Sequence, residues 1–495
     1  MVRQKGKFYA PVTEKDPVEK APDAEIQWVT VRGVKVQRIK SSKTNKVELY
    51  EQMPVLNLHA AGIDVGSREH YVAIGQGKVH VRTFGVYTAD LVELCEWLRD
   101  NGVTTVAMES TGSYWKNLFI LLQEYGLNPI LVNGAFTKNL KGRKTDVLDC
   151  QFIQQMHTLG LLPDSFQPDD FTGQLRNLAR HRSGILTQTA DNTKRMQQSL
   201  RLMNIRLDVA VTDITGKTGM NIIKAILAGE RDAQKLADLC EKTVKKPKEE
   251  VARALNGFYR QDYLFQLKQL FGTYEFLQQQ ILEVDKELNA MLDQHLKETN
   301  KNDLAFQKDP LNKKKQQKNS PKFDIEKQSF QLFNGVDLIQ VPGISYSTML
   351  TYISEVGLDI YKFNSAKAFS SWLRLAPNKK ITGGKVIGNS IRHGANTLSI
   401  ALRTAANSIG NMTSDIPITR FFKRLAFKYG RAAAITATAR KLAVIIWNMI
   451  TKQQPYMQPS TEIYDERIRK MTLKNIQRKI TVLKISADDL SFVTA

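Results

Sequence analysis

Short apolar runs separated by turn-forming residues occupy the segment from Leu58 to Val132, and their order restricts the fold more than any other feature of the chain. Three runs of strand length come first. Apolar residues at helical spacing then alternate with two further strand-like runs. We predict strands at Leu58–Gly66, Tyr71–Ile74, Lys78–Val86, Thr104–Met108 and Pro129–Val132, and helices at Thr88–Asn101 and Tyr114–Tyr125.

Four carboxylates lie at the ends of these elements. Asp64 lies in the first strand and Glu109 follows the fourth, and strand ends in a parallel region meet at one edge of the sheet. Asp146 and Asp149 lie three residues apart where residues 143–153 begin a further helix, so they share one helix face. The resulting order, βββαβαβα, is that of the ribonuclease H and RuvC-like nucleases.

Such a cluster of carboxylates predicts a metal site, because the four charges would repel one another unless a cation were present. Oxygen ligands without His or Cys favour Mg²⁺ or Mn²⁺. Two such ions about 4 Å apart would activate the attacking oxygen and stabilise the leaving oxygen of a phosphoryl displacement. Taken singly, Asp146 and Asp149 could instead be surface residues that complement a helix dipole. Glu109 could belong to the turn that leads into the next helix. Asp64 is harder to dismiss, because a carboxylate in an apolar strand is costly unless it is paired.

Charge and cysteine content restrict the partners and the compartment. The 495 residues suit two or three domains, and 71 Lys and Arg against 49 Asp and Glu give a net charge of +22. This excess suits a polyanionic partner such as DNA or RNA. No apolar run reaches the roughly 20 residues of a membrane span and no secretory signal is visible, so we expect no membrane partner. The three cysteines form no Cys-x-x-Cys pair, which favours a reducing, cytoplasmic setting.

Two long helices are predicted in the middle of the chain, at Phe171–Leu207 and Tyr263–Leu296. They could pair as an antiparallel hairpin or between protomers. The first is rich in arginine on its other faces. Its candidate nucleic-acid contacts are Arg180, Arg182 and Arg195.

Beyond residue 330, the segment Val341-Pro-Gly343 resembles half of a helix-hairpin-helix turn and precedes a predicted helix at Ser347–Val356. After another predicted helix, Ala366–Leu375, a basic loop from Ala376 to Gly394 contains the hydroxyls of Thr382 and Ser390. Glycines there would allow close approach to phosphate, although the loop could also be solvated surface without chemistry. Apolar helix patterns resume at Asn396–Asn411 and Phe421–Ile450. The loop's candidate nucleic-acid contacts are Lys379, Lys380, Gly383, Gly384, Lys385, Arg392 and His393.

Six motifs in fixed order make the chain resemble the DEDD-type insertion-sequence transposases, a family of bridge-RNA-guided recombinases. The resemblance implies a RuvC-like domain in which Asp64, Glu109, Asp146 and Asp149 bind Mg²⁺. It also implies a C-terminal domain whose serine joins that site from another protomer of a tetramer and forms a covalent phosphoseryl intermediate with DNA. A structured noncoding RNA pairs with target and donor DNA in that family, and a prokaryotic, nucleoid-associated location follows. The motifs are Gly62–Gly66, Met108–Trp115, Lys144–Asp149, Val341–Gly343, Trp372–Pro377 and Thr382–Lys385.

The chain departs from this pattern at the nucleophile, where Thr382 stands in place of the family's serine. Its extra methyl crowds in-line attack and restricts χ1, yet an activated threonine can act as a nucleophile. Ser390 is the alternative nucleophile, and a protein that only hydrolyses DNA is a further alternative.

The predicted fold class is α/β plus all-α: a ribonuclease H-like domain, a helical coiled-coil region and a helical C-terminal transposase domain. The predicted parts are a basic N-terminal arm at 1–56, the RuvC-like DEDD domain at 57–163, the helical region at 164–299, a flexible polar linker at 300–330, the transposase domain at 331–455 and a basic tail at 456–495, helical from Glu466 to Lys484.

The leading hypothesis is an RNA-guided DNA recombinase, a dimer or tetramer, that exchanges strands through a hydroxyl nucleophile. The closest alternative is a RuvC-like hydrolytic nuclease or Holliday-junction resolvase. An actin-like ATPase or sugar kinase would share Gly62–Ser67 but needs a second phosphate loop of the type Asp-x-Gly-x-Gly-Thr, which the sequence lacks. A nucleic-acid binder without catalysis is the remaining alternative.

Overall fold

A computed structural model of the chain provides the structure. It describes residues 9–10, 26–31, 34–39, 55–76, 80–134, 145–301, 303–307, 314–391, 396–458 and 460–483, with the backbone alone for 9–39, 378, 379 and 389–391. The chain divides into two compact units, Met1–Gln167 and Pro168–Ala495.

The first three strands lie in the segment that the sequence analysis assigned to a basic, weakly patterned arm. Strands β1 (Tyr9–Ala10), β2 (Ile26–Val31) and β3 (Val34–Ile39) form an antiparallel sheet in the order β1-β3-β2. The sequence analysis predicted no strands in this arm and so missed these three. The β-branched and aromatic residues of β2 and β3 alternate with polar ones and favour such a hairpin.

A five-stranded mixed sheet forms the centre of the first unit, in the order β6-β5-β4-β7-β8. Strands β4 to β6 pair antiparallel, whereas β7 and β8 run parallel to β4. This arrangement confirms the predicted meander and the ribonuclease H-like fold class. The strands are β4 (Ala60–Val65), β5 (Glu69–Ile74), β6 (His80–Gly85), β7 (Thr105–Glu109) and β8 (Asn128–Val132).

Helices cover both faces of this sheet. On one face α1 (Thr88–Asp100) and α2 (Trp115–Glu124) bury Leu94 and Leu118 against Ile63. On the other face α3 (Asp146–Thr158) packs through Ile153. Because side chains alternate along a strand, Gly62 and Asp64 face α3 when Ile63 faces α1 and α2.

Two long helices dominate the second unit: α4 (Asp170–Leu202) and α9 (Gln261–Glu298). Contacts pair early residues of one with late residues of the other, from Phe171 with His295 to Ser199 with Gln266, so the two helices run antiparallel. The predicted pairing is thus intramolecular. Between them, four short helices enclose a separate apolar core that also buries Met196 and Leu267. They are α5 (Leu207–Ala210), α6 (Lys217–Leu227), α7 (Ala233–Asp238) and α8 (Lys248–Leu255).

The C-terminal half of the second unit is helical except for one β-hairpin. The break at Gly430, with a φ of 83°, divides the predicted segment Phe421–Ile450 into two helices. The helices are α10 (Ile325–Leu332), α11 (Tyr346–Val356), α12 (Ala366–Trp372), α13 (Thr397–Gly410), α14 (Pro417–Tyr429), α15 (Arg431–Lys452) and α16 (Thr461–Leu483), with short 3-10 turns at Leu338–Gln340 and Ile360–Lys362.

Residues 314–324 were expected to belong to a flexible linker, and the structure contradicts this. The backbone N–H of Lys322 donates to Asp285 in α9, and the carbonyl of Asn319 accepts from Arg182 in α4. Lys314 inserts its ammonium among backbone carbonyls. Polar composition suggested disorder, but Lys314 uses its side chain, and Asn319 and Lys322 use their backbone, for contacts with buried groups.

Within the described residues one helix, α15, has the length and mean hydropathy of a membrane span. Its most apolar window has a mean hydropathy of 1.3, and 44% of that window is buried inside the structure. Ala439, Leu442 and Ile446 lie on its buried face. A core helix of a globular domain passes the same test, so this single helix is weak support for a membrane location.

Candidate functional site

Three of the four predicted carboxylates come together at one end of the first unit's sheet. Oxygen atoms of Asp64, Asp146 and Asp149 lie within 4.8 Å of one another. Asp64 projects from β4, whereas Asp146 and Asp149 occupy the first turn of α3. Asp64 and Asp149 are partly buried and Asp146 is exposed, so the group is open on one side.

Gly62 allows α3 to approach the strand that bears Asp64. A Cβ atom at this position would lie 2.2 Å from the backbone nitrogen of Gln154 and 2.5 Å from the carbonyl oxygen of Cys150, both in α3. Gln154 fixes the contact by donating to the carbonyl of Gly75 at 3.0 Å. The absence of a side chain at 62 therefore brings the two aspartates of α3 close to Asp64.

Asp64 is the electrostatically most perturbed member of the group. Burial, and after it the charges of Asp146, Asp149 and Glu109, together raise the pKa of its carboxyl to about 6, against one backbone hydrogen bond from Val65. A cation would relieve both the desolvation and the repulsion. Three converging carboxylates without nitrogen or sulfur ligands fit a hard divalent ion.

Glu109 ends β7 beside Asp64's strand, close enough for its charge to act on Asp64 but outside the group of three. The hydroxyl of Thr111 lies 3.4 Å from its Oε1. The strand order predicted its proximity correctly. That Glu109 binds a metal ion together with the three aspartates stays a prediction.

Tyr71 and Glu69 form a feature of this edge that the sequence analysis missed. Tyr71 lies opposite Asp64 in the β4–β5 register, and its hydroxyl donates to Oε1 of Glu69 at 2.5 Å. This hydrogen bond and, after it, desolvation raise the pKa of Tyr71 to about 12, and the charges of Glu69, Asp146 and Asp64 contribute in the same direction. Counting the register outward from the tight β4–β5 turn could have found it.

The predicted basic loop that carries Thr382 is a β-hairpin of β9 (Pro377–Thr382) and β10 (Lys385–Ile391). Thr382 pairs with Lys385 across a two-residue turn, in which Gly383 and Gly384 have φ values of 55° and 74°. Positive φ at both positions is the requirement of a type I′ turn, which glycine meets without steric cost. Thr382 is thus an exposed residue at the tip of a hairpin.

The remaining hairpin candidates lie at different depths along it. Lys380 and Lys385 are exposed near the tip. Ser390 pairs through its backbone with Asn378, at the open end of the hairpin and away from Thr382. Lys379 follows Asn378 in β9, one position closer to the tip. Arg392 and His393 lie outside the described residues.

Two of the three arginines predicted to contact nucleic acid have internal partners. The guanidinium of Arg182 is 4% exposed and makes paired hydrogen bonds of 2.6 and 3.2 Å to Asp285, so we no longer assign it a phosphate contact. Arg180 binds both oxygens of Glu355, but its side chain is 57% exposed, so its contact with nucleic acid stays a prediction. Helical spacing gave the faces of α4 but could not show which of them α9 and α11 cover. Arg195 is exposed, and its contact with nucleic acid stays a prediction.

Comparison with known protein families gives two matches. Residues 61–205 match a family model of DEDD transposases of the IS110 type, described as transposase. Residues 337–418 match a second model, described as transposase IS116/IS110/IS902 family. The first match contains all four candidate carboxylates and the second contains Thr382.

One curated relative is the transposase for insertion sequence element IS1111A from Coxiella burnetii. It is 29% identical over 121 residues, which are 23% of this chain and 32% of the relative. The aligned segment therefore spans about a third of the relative's length.

Proposed function

We propose that this chain, an IS110-type DEDD transposase by its two family matches, cleaves and rejoins DNA strands with Mg²⁺ or Mn²⁺ at Asp64, Glu109, Asp146 and Asp149. The observation that carries the proposal is the convergence of three carboxylates within 4.8 Å around an aspartate whose pKa is raised to about 6. A bound divalent ion would supply Lewis acidity to the phosphoryl group. The aspartates of β4 and α3 would hold the ion, and the open side of the group would admit the phosphodiester.

Thr382 supplies the attacking hydroxyl in this proposal. Its Oγ1 forms a bond to phosphorus while the bond from phosphorus to one DNA strand breaks, and that strand leaves with a hydroxyl end that takes up the threonine proton. Attack by the hydroxyl of another DNA end reverses the step and releases Thr382. The exposed hairpin tip supports this role because a nucleophile there can reach a substrate held elsewhere, including one held by another protomer.

The partners belong to the proposal as well. The net charge of +22 favours binding to DNA and to a structured guide RNA through phosphate contacts. Lys380, Lys385 and Arg195 are exposed cations that suit this role. We also propose that the protein acts as a dimer or tetramer, and that it is located in the cytoplasm in association with the nucleoid.

A hydrolytic nuclease or junction resolvase is the second candidate, favoured by the same carboxylates and by the threonine in place of serine. Water would then attack the phosphodiester, and the glycine turn with Lys385 would hold the phosphate. The two candidates differ in one product, a covalent bond between protein and DNA.

The deciding experiment is a denaturing gel of the protein incubated with its element's noncoding RNA, Mg²⁺ and end-labelled junction DNA. We expect a labelled protein band for the parent and for Ser390→Ala, a stronger band for Thr382→Ser because a primary alcohol is less crowded, and none for Thr382→Ala or Asp146→Ala. Free cleaved ends without any protein band would establish the hydrolytic candidate. An adduct that persists in Thr382→Ala and disappears in Ser390→Ala would transfer the nucleophile to Ser390.

A further inference from the structure

The ammonium of Lys314 lies at a point where three backbone carbonyls of the second unit converge. It donates to the carbonyl oxygens of Val341 and Ile344, each at 2.9 Å, and to that of Ile339. These three residues are 0–2% exposed. The nearest regular elements are the 3-10 turn at Leu338–Gln340 and helix α11, with the Val341-Pro-Gly turn between them.

Burial of a cation here is compensated from several sides. Asp337 and Glu326 are both buried, and their negative charges favour the protonated amine. Desolvation acts against them and lowers the pKa of Lys314 to about 8. A buried ammonium needs such oxygen partners, since an unpaired charge in an apolar interior is strongly unfavourable.

The arrangement has the properties of a cation site. Three carbonyl oxygens held by rigid backbone replace a hydration shell, as they do for K⁺ in channel filters. The carbonyl of Val341 also accepts from the backbone N–H of Ile344 at 3.1 Å, so the turn itself fixes the geometry. Gly343 adopts a φ of 84°, which allows the chain to bend around this point.

We propose that the carbonyls of Ile339, Val341 and Ile344 form a monovalent-cation site, and that the Lys314 ammonium is its built-in occupant. The lysine ammonium offsets the negative ends of the carbonyl dipoles and so stabilises the turn that precedes α11. If the lysine were absent, K⁺, Na⁺ or NH₄⁺ would do the same. It also fastens residues 314–324 to this turn. The inference concerns folding of the second unit and does not depend on the proposed DNA chemistry.

The test replaces Lys314 by methionine, which keeps a stem of similar length but removes the ammonium. Thermal unfolding of the full chain is followed at equal ionic strength in the chlorides of N-methyl-D-glucamine, Na⁺, K⁺ and NH₄⁺. We expect Lys314→Met to melt about 3–6 °C below the parent in N-methyl-D-glucamine, whose cation is too large for the site. At least half of that loss should return with one of the small cations. The parent should show no such cation preference.

Lys315→Met is the matched control, because Lys315 is the exposed neighbour of Lys314. It should behave as the parent in every salt. Lys314→Arg, which keeps a charge but enlarges the head group, should show less recovery with small cations than Lys314→Met. The proposal is overturned if Lys314→Met melts with the parent, or if its loss is the same in all four salts. Should Lys314→Met fail to fold in N-methyl-D-glucamine, refolding yield in NH₄⁺ replaces the melting temperature, and an absence of recovery overturns the proposal equally.

Discussion

Asp64 is unusual among the residues of the first unit because its environment opposes its charge. The folded state raises its pKa from 3.8 to about 6, so the fold binds this proton more tightly than the unfolded chain does. Ionised Asp64 therefore destabilises the metal-free fold, and the penalty is absent below about pH 4 and complete above about pH 6. The sign is opposite to that of an aspartate in a salt bridge.

Asp64→Asn should remove this penalty while destroying the metal site. At pH 7.5 in EDTA we expect the variant to melt about 2–4 °C above the parent. Mg²⁺ should raise the melting temperature of the parent and leave that of Asp64→Asn unchanged, and strand cleavage should be lost. Differential scanning fluorimetry with and without Mg²⁺ provides the comparison. A variant that melts below the parent in EDTA would contradict the electrostatic account.

Metal binding should depend on pH because the ion competes with the proton on Asp64. Below about pH 6 that proton must be displaced, so affinity for Mn²⁺ should fall about tenfold for each further pH unit. Above that pH the dependence should flatten. Titration calorimetry between pH 5 and pH 8 measures it. A constant affinity over this range would mean that Asp64 is not a ligand.

At the scale of elements, strands β4–β8 and helices α1–α3 follow from their apolar periodicity, and the meeting of the three aspartates follows from the strand order and the spacing of residues 146 and 149 on one helix face. Periodicity could not reveal the hairpin at 377–391, because Thr382, Ile381 and the other side chains that the structure describes in these strands are not buried, so no apolar alternation marks them. It also could not show that Arg182 is paired inside the second unit, because the same residue suits a solvated face. The position of Tyr71 opposite Asp64 follows from counting residues outward from the β4–β5 turn, so this contact was within reach of the sequence.

Gly62→Ala tests whether the close approach of α3 to β4 forms the site. An added methyl would meet backbone atoms of α3, which can give way only if the whole helix moves, so α3 should shift outward and carry Asp146 and Asp149 away from Asp64. We expect at least tenfold weaker Mn²⁺ binding by calorimetry, with a folded protein by circular dichroism. Gly184→Ala, at an exposed helical glycine with open space around it, should bind Mn²⁺ as the parent does.

The turn at Gly383 should accept asparagine but not valine. Asparagine is common in the first position of type I′ turns, whereas a β-branched residue at positive φ costs about 1–2 kcal/mol, which makes the population of the native turn about five- to thirty-fold smaller without unfolding the packed helices. The Gly383→Val variant should lose adduct formation by about that factor and Gly383→Asn should keep most of it. Because the tip is exposed, both should melt as the parent does. Equal activity of the two variants would show that tip geometry is unimportant.

At the scale of the second unit, the pair of Arg182 and Asp285 connects three segments: α4, α9 and residues 314–324. Each partner makes a further bond, Arg182 to the carbonyl of Asn319 and Asp285 to the N–H of Lys322. A buried ion pair adds little net stability over apolar residues, but removal of one partner leaves the other charge unpaired.

Arg182→Met and Asp285→Leu should each lower the free energy of unfolding by about 3–5 kcal/mol. The double variant should recover a substantial part of the summed loss, although not all of it, because Asn319 and Lys322 keep unsatisfied backbone groups. Urea unfolding of the four proteins measures the coupling. Strictly additive losses would mean that the two side chains do not stabilise the unit as a pair.

The antiparallel pair of α4 and α9 also defines a length. From Arg180, bound to Glu355, to Leu200 in the core of the short helices, α4 advances about 30 Å. Along this stretch α4 packs on the partner helix through Ile185, and near its start Arg182 also binds the carbonyl of Asn319, so the number of residues sets the span of the rest. Deleting seven residues from both helices in register would shorten it by about 10 Å while nearly preserving the packed faces. The second unit therefore contains a spacer whose reach evolution or design can adjust in steps of a heptad, independently of the residues that perform chemistry.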